Sequence, residues 1–171
     1  MDFDKMFEQS SERVNTLHPY IRESAVETLA MIEEDLKMRN CWYRVIVTQA
    51  LRTFERQAEL YARGRTAAGP RVTNARAGDS MHNYGFALDI ALIDITKNKG
   101  NIIWDETRIE WRVAAQIFKQ EKWTWGGDWV RFKDYPHFEK APLPLKELRT
   151  LYAQQTTNTG YVNIDHLRLD A

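Results

Sequence analysis

From Pro19 to about Lys37 apolar residues recur at intervals of three and four: Ile21, Ala25, Leu29, Ile32 and Leu36. That spacing lays one stripe along an α-helix, and Glu23, Glu27, Glu33 and Glu34 fall largely off it. Residues 1 to 19 read as a helical lead-in that breaks at His18-Pro19, because proline cannot continue a helix. His18 then caps the long helix or faces solvent, outside any site. A second stripe, Ile109, Val113, Ala114, Ile117 and Phe118, predicts a helix over about Glu106 to Lys122. After Pro142 and Pro144 a short helix is expected from Leu145 to Gln155, then a Thr156–Gly160 linker and a short tail.

Elsewhere the period changes. Trp42-Tyr43-Arg44-Val45-Ile46-Val47-Thr48 is aromatic and β-branched, and predicts a strand. It leads through Gln49–Thr53 into a helix ending at Ala62, whose start is soft because Arg56 stands where a capping box wants an acid. Further strands are predicted at 86–92 and 135–139. In the first, Ala87 and Asp89 share one face while Leu88 and Ile90 share the other. An acid in mid-strand is unusual unless something binds it. In the second, His137 and Glu139 share a face. Gly64 to Gly78, rich in Gly, Arg, Ala and Thr, reads as a mobile loop over a cleft. Its Arg63, Arg65, Arg71 and Arg76 are mostly solvated, or attract an acidic peptide. Asp94 to Gly100 is a turn or hairpin with too few acids, and its glycine out of register, for calcium. Trp104 and Trp111 are expected in the core or in helix packing, and the tryptophans around Gly126-Gly127 in a packed hairpin.

Composition adds bounds. A chain of 171 residues fits one domain, and its 24 basic and 24 acidic residues leave no net field to favour nucleic acid or an anionic membrane. The charged start Met1–Met6 carries no apolar run, so no secretory signal is expected, and no stretch is long enough to span a bilayer. The expectation is a protein made in the cytoplasm without membrane insertion. The single Cys41 excludes an internal disulfide and reads as a small core residue beside Trp42, since no base partner is indicated for a reactive thiol.

Two short segments carry an imidazole with carboxylates close by: Ser80 to Asp89, and Asp134 to Glu139. His82, Asp89 and His137 are a donor set from which zinc with an open position is built. Two such histidines also occur as plain surface or core residues. Gly85 and Ala87 suit a tight backbone passage between the donors. Asp134, before Pro136, can place a carboxylate beside a metal without binding it.

Ser-x-His-x-x-Gly-x-Ala-x-Asp over Ser80–Asp89, followed by Asp134-x-x-His137, resembles the zinc D-Ala-D-Ala carboxypeptidase and L-alanyl-D-glutamate peptidase family. Trp125-Gly126-Gly127-Asp128-Trp129, leading into Phe132 to Phe138, is similar to its endopeptidase branch, which includes phage endolysins and bacterial wall enzymes. The resemblance runs from about Gln49 to Glu139. It implies an α+β fold, a Hedgehog/DD-peptidase-like small and mostly antiparallel sheet with helices packed on one side. It implies zinc held by His82, Asp89 and His137, with Asp134 as the catalytic base. Arg52 would face the cleft and grip a substrate carbonyl or carboxylate with its fork of donors. Trp129 and Asp128 would line the groove, and Glu139 would be an alternative base or the partner of an imidazole.

The implied activity is hydrolysis of the L-alanine–D-glutamate bond in the stem peptide of peptidoglycan. Two rivals stand beside it: a D,D- or L,D-carboxypeptidase with the same metal site, and a zinc-bearing binding module without catalysis. The expected organisation is a catalytic domain at 1–144 and a C-terminal helix and tail at 145–171, with no wall-binding domain. A monomeric, single-domain phage endolysin fits this, released to the wall by a holin-like protein.

Overall fold

The computed structural model describes residues 2–97, 101–155, 161–165 and 167. The chain begins with α1 (Phe3–Asn15), α2 (Pro19–Met38), β1 (Tyr43–Gln49) and α3 (Phe54–Ala62). A 3-10 turn at Met81–Tyr84 then leads into β2 (Ala87–Asp94), β3 (Asn101–Ile103) and α4 (Ile109–Gln120). Next come β4 (Thr124–Trp125), a 3-10 turn at Gly126–Asp128, β5 (His137–Glu139) and α5 (Leu145–Gln154). The fold is α+β, as expected. The Thr156–Gly160 linker lies outside the described residues, as do 98–100 of the predicted turn.

The sheet is antiparallel, ordered β1-β2-β5-β4, with β3 also paired to β2. Seven of the eight residues of β2 are buried, and Asp89 alone is half-exposed. Leu88, Ile90 and Leu92 point into the main core, where they join Ile21, Ala25, Ile32 and Leu36 of α2 and Trp111, Ala114 and Phe118 of α4. The stripe predicted for α2 thus faces the sheet, except that Thr28 is buried and Leu29 half-buried. Thr28 is admitted because its hydroxyl donates to the Ser24 carbonyl at 2.7 Å. On α4, Ile109 opens the helix and stays exposed, so its stripe begins one turn later.

The opposite face of β2 is covered at one end only. Ala91 and Ile93 meet Ile46 and, from α1, Met6 and Phe3. Helix α1 reaches that face by running along the free edge of β1. The Val47 N–H donates to Ser10 Oγ at 2.8 Å, and Arg13 donates to the Val47 carbonyl at 2.9 Å. Those bonds satisfy backbone groups that an open edge would leave for another strand. The helices are therefore not all on one side: α2 and α4 share a face, and α1 wraps the edge onto the other. The end of that face carrying Asp89 lies open to a cavity.

Residues beyond 144 share the main core, which takes in Leu148, Val162 and Ile164. His18 caps α2 by accepting the Tyr20 N–H at Nδ1, at 3.1 Å, and its ring is buried against Phe86 with centroids 4.5 Å apart. The Val162 carbonyl lies 3.0 Å from its Nε2, so this histidine ties the tail to the fold. The His18 backbone N–H also donates to the Gly85 carbonyl at 2.9 Å.

This close approach depends on Gly85, whose φ is +75°. A β-carbon there would sit 2.7 Å from the His18 backbone nitrogen. Gly85→Ala is therefore expected to lower stability by about 1–3 kcal/mol through overpacking and left-handed backbone strain. Chemical denaturation of the two proteins side by side measures this, and an unchanged midpoint would contradict it.

Candidate metal centre

Pairing between β2 and β5 sets Asp89 directly opposite His137. His82 arrives from the 3-10 turn just before β2, where the left-handed Gly85 ends the turn and starts the strand. The three donor atoms form a small triangle. His82 Nε2 lies 3.1 Å from Asp89 Oδ1 and 3.1 Å from His137 Nδ1, and His137 Nδ1 lies 3.3 Å from Asp89 Oδ1. With bonds of about 2.0–2.1 Å, a tetrahedral metal separates its ligands by about 3.3 Å, so the triangle has the edge length of such a site.

The outward nitrogens decide which way the lone pairs point. His82 Nδ1 faces the Ala50 carbonyl at 2.8 Å, and His137 Nε2 faces Glu139 Oε2 at 2.9 Å. A carbonyl and a carboxylate only accept hydrogen bonds, so those nitrogens carry the protons, and in the neutral imidazoles the inward ones are free to ligate. The residues thus fit a metal ion, which His82, Asp89 and His137 would hold. Glu139 is a partner that orients an imidazole.

The electrostatics favour a cation at the same place. Burial disfavours charge on His137, yet hydrogen bonds to Asp89 and Glu139 outweigh it and hold its pKa up to about 9. Burial also works against the Asp89 carboxylate, but the neighbouring His82 and His137 hold it well below the usual carboxylate range. Arg52 reaches the second oxygen of Asp89, Nη2 to Oδ2 at 3.4 Å. Its other branch donates to Gln57 Oε1 at 2.9 Å, and its Nε is buried without a partner among the described residues.

Asp134 lines the same cavity and has no side-chain hydrogen bond or ion pair among the described residues. Burial pushes its pKa above the ordinary value, and the negative charge of Asp89 adds to this. Its position depends on the glycine pair before it. A β-carbon on Gly126 would lie 2.5 Å from the Asp134 carbonyl oxygen and 3.2 Å from the His137 β-carbon. The Gly126 carbonyl accepts the Asp134 N–H at 3.1 Å, and Trp125 Nε1 donates to the Tyr135 carbonyl at 2.8 Å. The Trp-Gly-Gly segment is thus the seat of the loop that carries Asp134 and His137. Trp129 faces the cavity, with its ring 5.1 Å from that of His137. Asp128 does not: its carboxylate turns to Lys119 of α4, at 2.6 Å on the surface.

The cavity holds about 700 Å³ and is lined by His82, Asp89, His137, Asp134 and Arg52 together. Its far wall comes from the loop after α3, which is tied down rather than merely draped. Fully buried Gln57 donates to the Ala75 carbonyl at 2.8 Å. Arg63, Arg71 and Arg76 are exposed as expected, while Arg65 is half-buried; it packs 3.9 Å over the Tyr61 ring and donates to the carbonyls of Tyr61 and Thr73. Trp111 is a core residue, but Trp104 is not. It follows the last residue of β3, leaves the sheet, and lines the cavity half-exposed. Gln57 could have been noticed as an amide in the first turn of the helix that follows Arg52. Trp104 gave no such signal.

A family model described as D-alanyl-D-alanine carboxypeptidase matches residues 73–140. The peptidoglycan L-alanyl-D-glutamate endopeptidase CwlK of Bacillus subtilis (strain 168) is 41% identical over 133 residues, covering 74% of each chain. Among solved structures, the L-Ala D-Glu endopeptidase ChiX of Serratia marcescens aligns with a TM-score of 0.48 and 22% identity, over 79% of this chain and 88% of that one. By the extent of its identity to CwlK, and with the donor motifs inside the matched segment, this chain belongs to the M15 peptidase family.

Proposed function

We propose that the protein is a zinc-dependent endopeptidase that cleaves the L-alanine–D-glutamate bond of peptidoglycan stem peptides. The observation that carries the reading is the donor triangle of His82, Asp89 and His137 beside the Asp134 carboxylate, which has no hydrogen bond or ion pair among the described residues, in one open cavity. The choice of bond is supported by the identity to CwlK. The expected class of chemistry is Lewis-acid activation of water and of a carbonyl, which zinc supplies in such sites.

The chain's own groups do the rest. The Asp134 carboxylate takes a proton from the attacking water and returns it to the departing amine of D-glutamate, a role suited to an acid whose pKa lies above its ordinary value. Arg52 is held between Asp89 and Gln57, and its guanidinium faces the cavity where the carbonyl oxygen gathers charge. Glu139 keeps the proton of His137 on the outward nitrogen. Trp129 shields the His137 side of the site from water. The domain at 1–144 with the helix and tail at 145–171 acts as one lytic unit on the cell wall, in the manner of an endolysin.

Asp134→Asn is expected to keep zinc and fold while losing at least about a hundredfold in turnover, the lower end for removal of a general base. Zinc content, thermal unfolding and release of D-glutamate N-termini from purified walls, read on one sample, decide it. Near-parental turnover, with Glu139→Gln inactive but zinc-loaded, would move the base to Glu139.

His82→Ala and His137→Ala are each expected to lose zinc and activity together, with weaker folding, since ligation is coupled to it. Glu139→Gln should bind zinc about 10–100-fold more weakly, the usual effect of losing such a partner. Competition with a chelator of known affinity measures both. One tightly held zinc per chain in His82→Ala would show that the triangle is not the metal site.

A further inference from the structure

Three aromatic side chains, Trp104, Trp129 and Phe132, line the cavity that holds His82, Asp89 and His137. Trp129 is used, against His137. The other two have no such use. Trp104 is 52% exposed and Phe132 54%, and neither stacks on another ring among the described residues. Phe132 also sits at φ +55°, a backbone conformation that a bulky side chain rarely adopts without a reason outside folding. Neither ring belongs to the core. Aromatic rings kept exposed in a cavity where a few charged and polar groups converge are the usual lining of a ligand subsite.

We propose that Trp104 and Phe132 form a saccharide subsite for the sugar from which the stem peptide hangs. The inference rests on the reading of the chain as an L-alanyl-D-glutamate endopeptidase. In that substrate the amino group of the L-alanine is joined to the lactyl group of a muramic acid ring. The sugar therefore begins one residue from the bond to be cut. One extended residue spans at most about 3.6 Å, so a scissile carbonyl at the donor triangle brings the sugar against the cavity wall. A pyranose has a C–H face with positive partial charge, and the face of an aromatic ring is negative, so the two stack. Arg131 lines the same cavity and is exposed, offering donors to the sugar oxygens.

The same loop invites a second idea, a membrane contact, because Val130 is 97% exposed between Trp129 and Arg131. Val130 is absent from the cavity lining, whereas Trp104 and Phe132 are part of it. That division favours the sugar and supplies the control.

The test uses the full chain, the double variant Trp104→Ala with Phe132→Ala, and Val130→Ser, with zinc content and unfolding midpoint read for each. Two soluble substrates share one stem peptide, the first bearing its muramyl sugar and the second only an acetyl cap. The parent is expected to favour the sugar-bearing substrate in kcat/KM by about tenfold or more, the scale of a lost aromatic contact. In the double variant the ratio of the two should fall towards one, and Val130→Ser should keep the parental ratio. A parental ratio near one, or a double variant that loses equally on both substrates, would overturn the subsite. Cosedimentation with peptide-free glycan strands and with phosphatidylglycerol vesicles gives an independent reading. Glycan binding that is lost in the double variant upholds the subsite, even if no stem peptide is cleaved and the endopeptidase reading fails. Binding to vesicles alone, lost in Val130→Ser, would replace the subsite with a membrane contact.

Discussion

The site depends on the register between β2 and β5. Side chains alternate along a strand, so a slip of one residue would carry His137 from the cavity into the core and Phe138 out of it. Phe138 prevents this. It is fully buried, stacks on Phe118 with centroids 4.1 Å apart, and is flanked by Trp125. The partner strand is held the same way by Leu88 and Ile90. Apolar packing on one face of the sheet thus places Asp89 opposite His137 on the other, and the energy that locks the donors comes from the core beneath them.

A carboxylate in the middle of a buried strand is costly unless its oxygens are matched. Asp89 meets this with His82 and His137 on one oxygen and Arg52 on the other. Arg52 in turn leans on Gln57, and Gln57 on Ala75 of the cleft loop. One chain of polar contacts therefore runs from the metal donors to the wall of the cavity. The other wall has a different support: the space that Gly126 leaves for the Asp134–His137 loop. The two walls are built by unrelated means, an amide buried in a helix and a missing side chain, and each fixes groups that must meet within a few ångströms.

Coverage of the sheet explains why the cavity lies where it does. Helices α2 and α4 seal one face, and α1 seals only the Ala91–Ile93 end of the other. The Asp89 end is left to loops, which can present polar and aromatic groups that a packed helix face would bury. α5 closes the back of this region, where Tyr152 stacks on Phe54 and meets Tyr84 edge-on, beside the turn that carries His82.

The elements were legible in the sequence because their period is local. The stripes of α2 and α4, the β-branched run of β1 and the mid-strand acid of β2 need only near neighbours to be recognised. His82, Asp89, His137 and Asp134 were singled out through the resemblance of their segments to a family motif, and the structure brings all four to one cavity. Other features needed the tertiary structure, because they arise between segments distant in sequence. The sequence left Glu139 as either a base or the partner of His137, and the 2.9 Å contact to the outward nitrogen places it as the partner. Gln57 gains its role only where Arg52 and Ala75 close on it. Trp104 was misjudged because an aromatic residue has no fixed side by composition; what lies across the cleft decides it. The sequence by itself determined the donor types, since the chemistry of an imidazole or a carboxylate belongs to the residue. Only the tertiary structure decided which lone pairs converge, because that depends on a strand register and on a backbone passage wide enough for glycine alone.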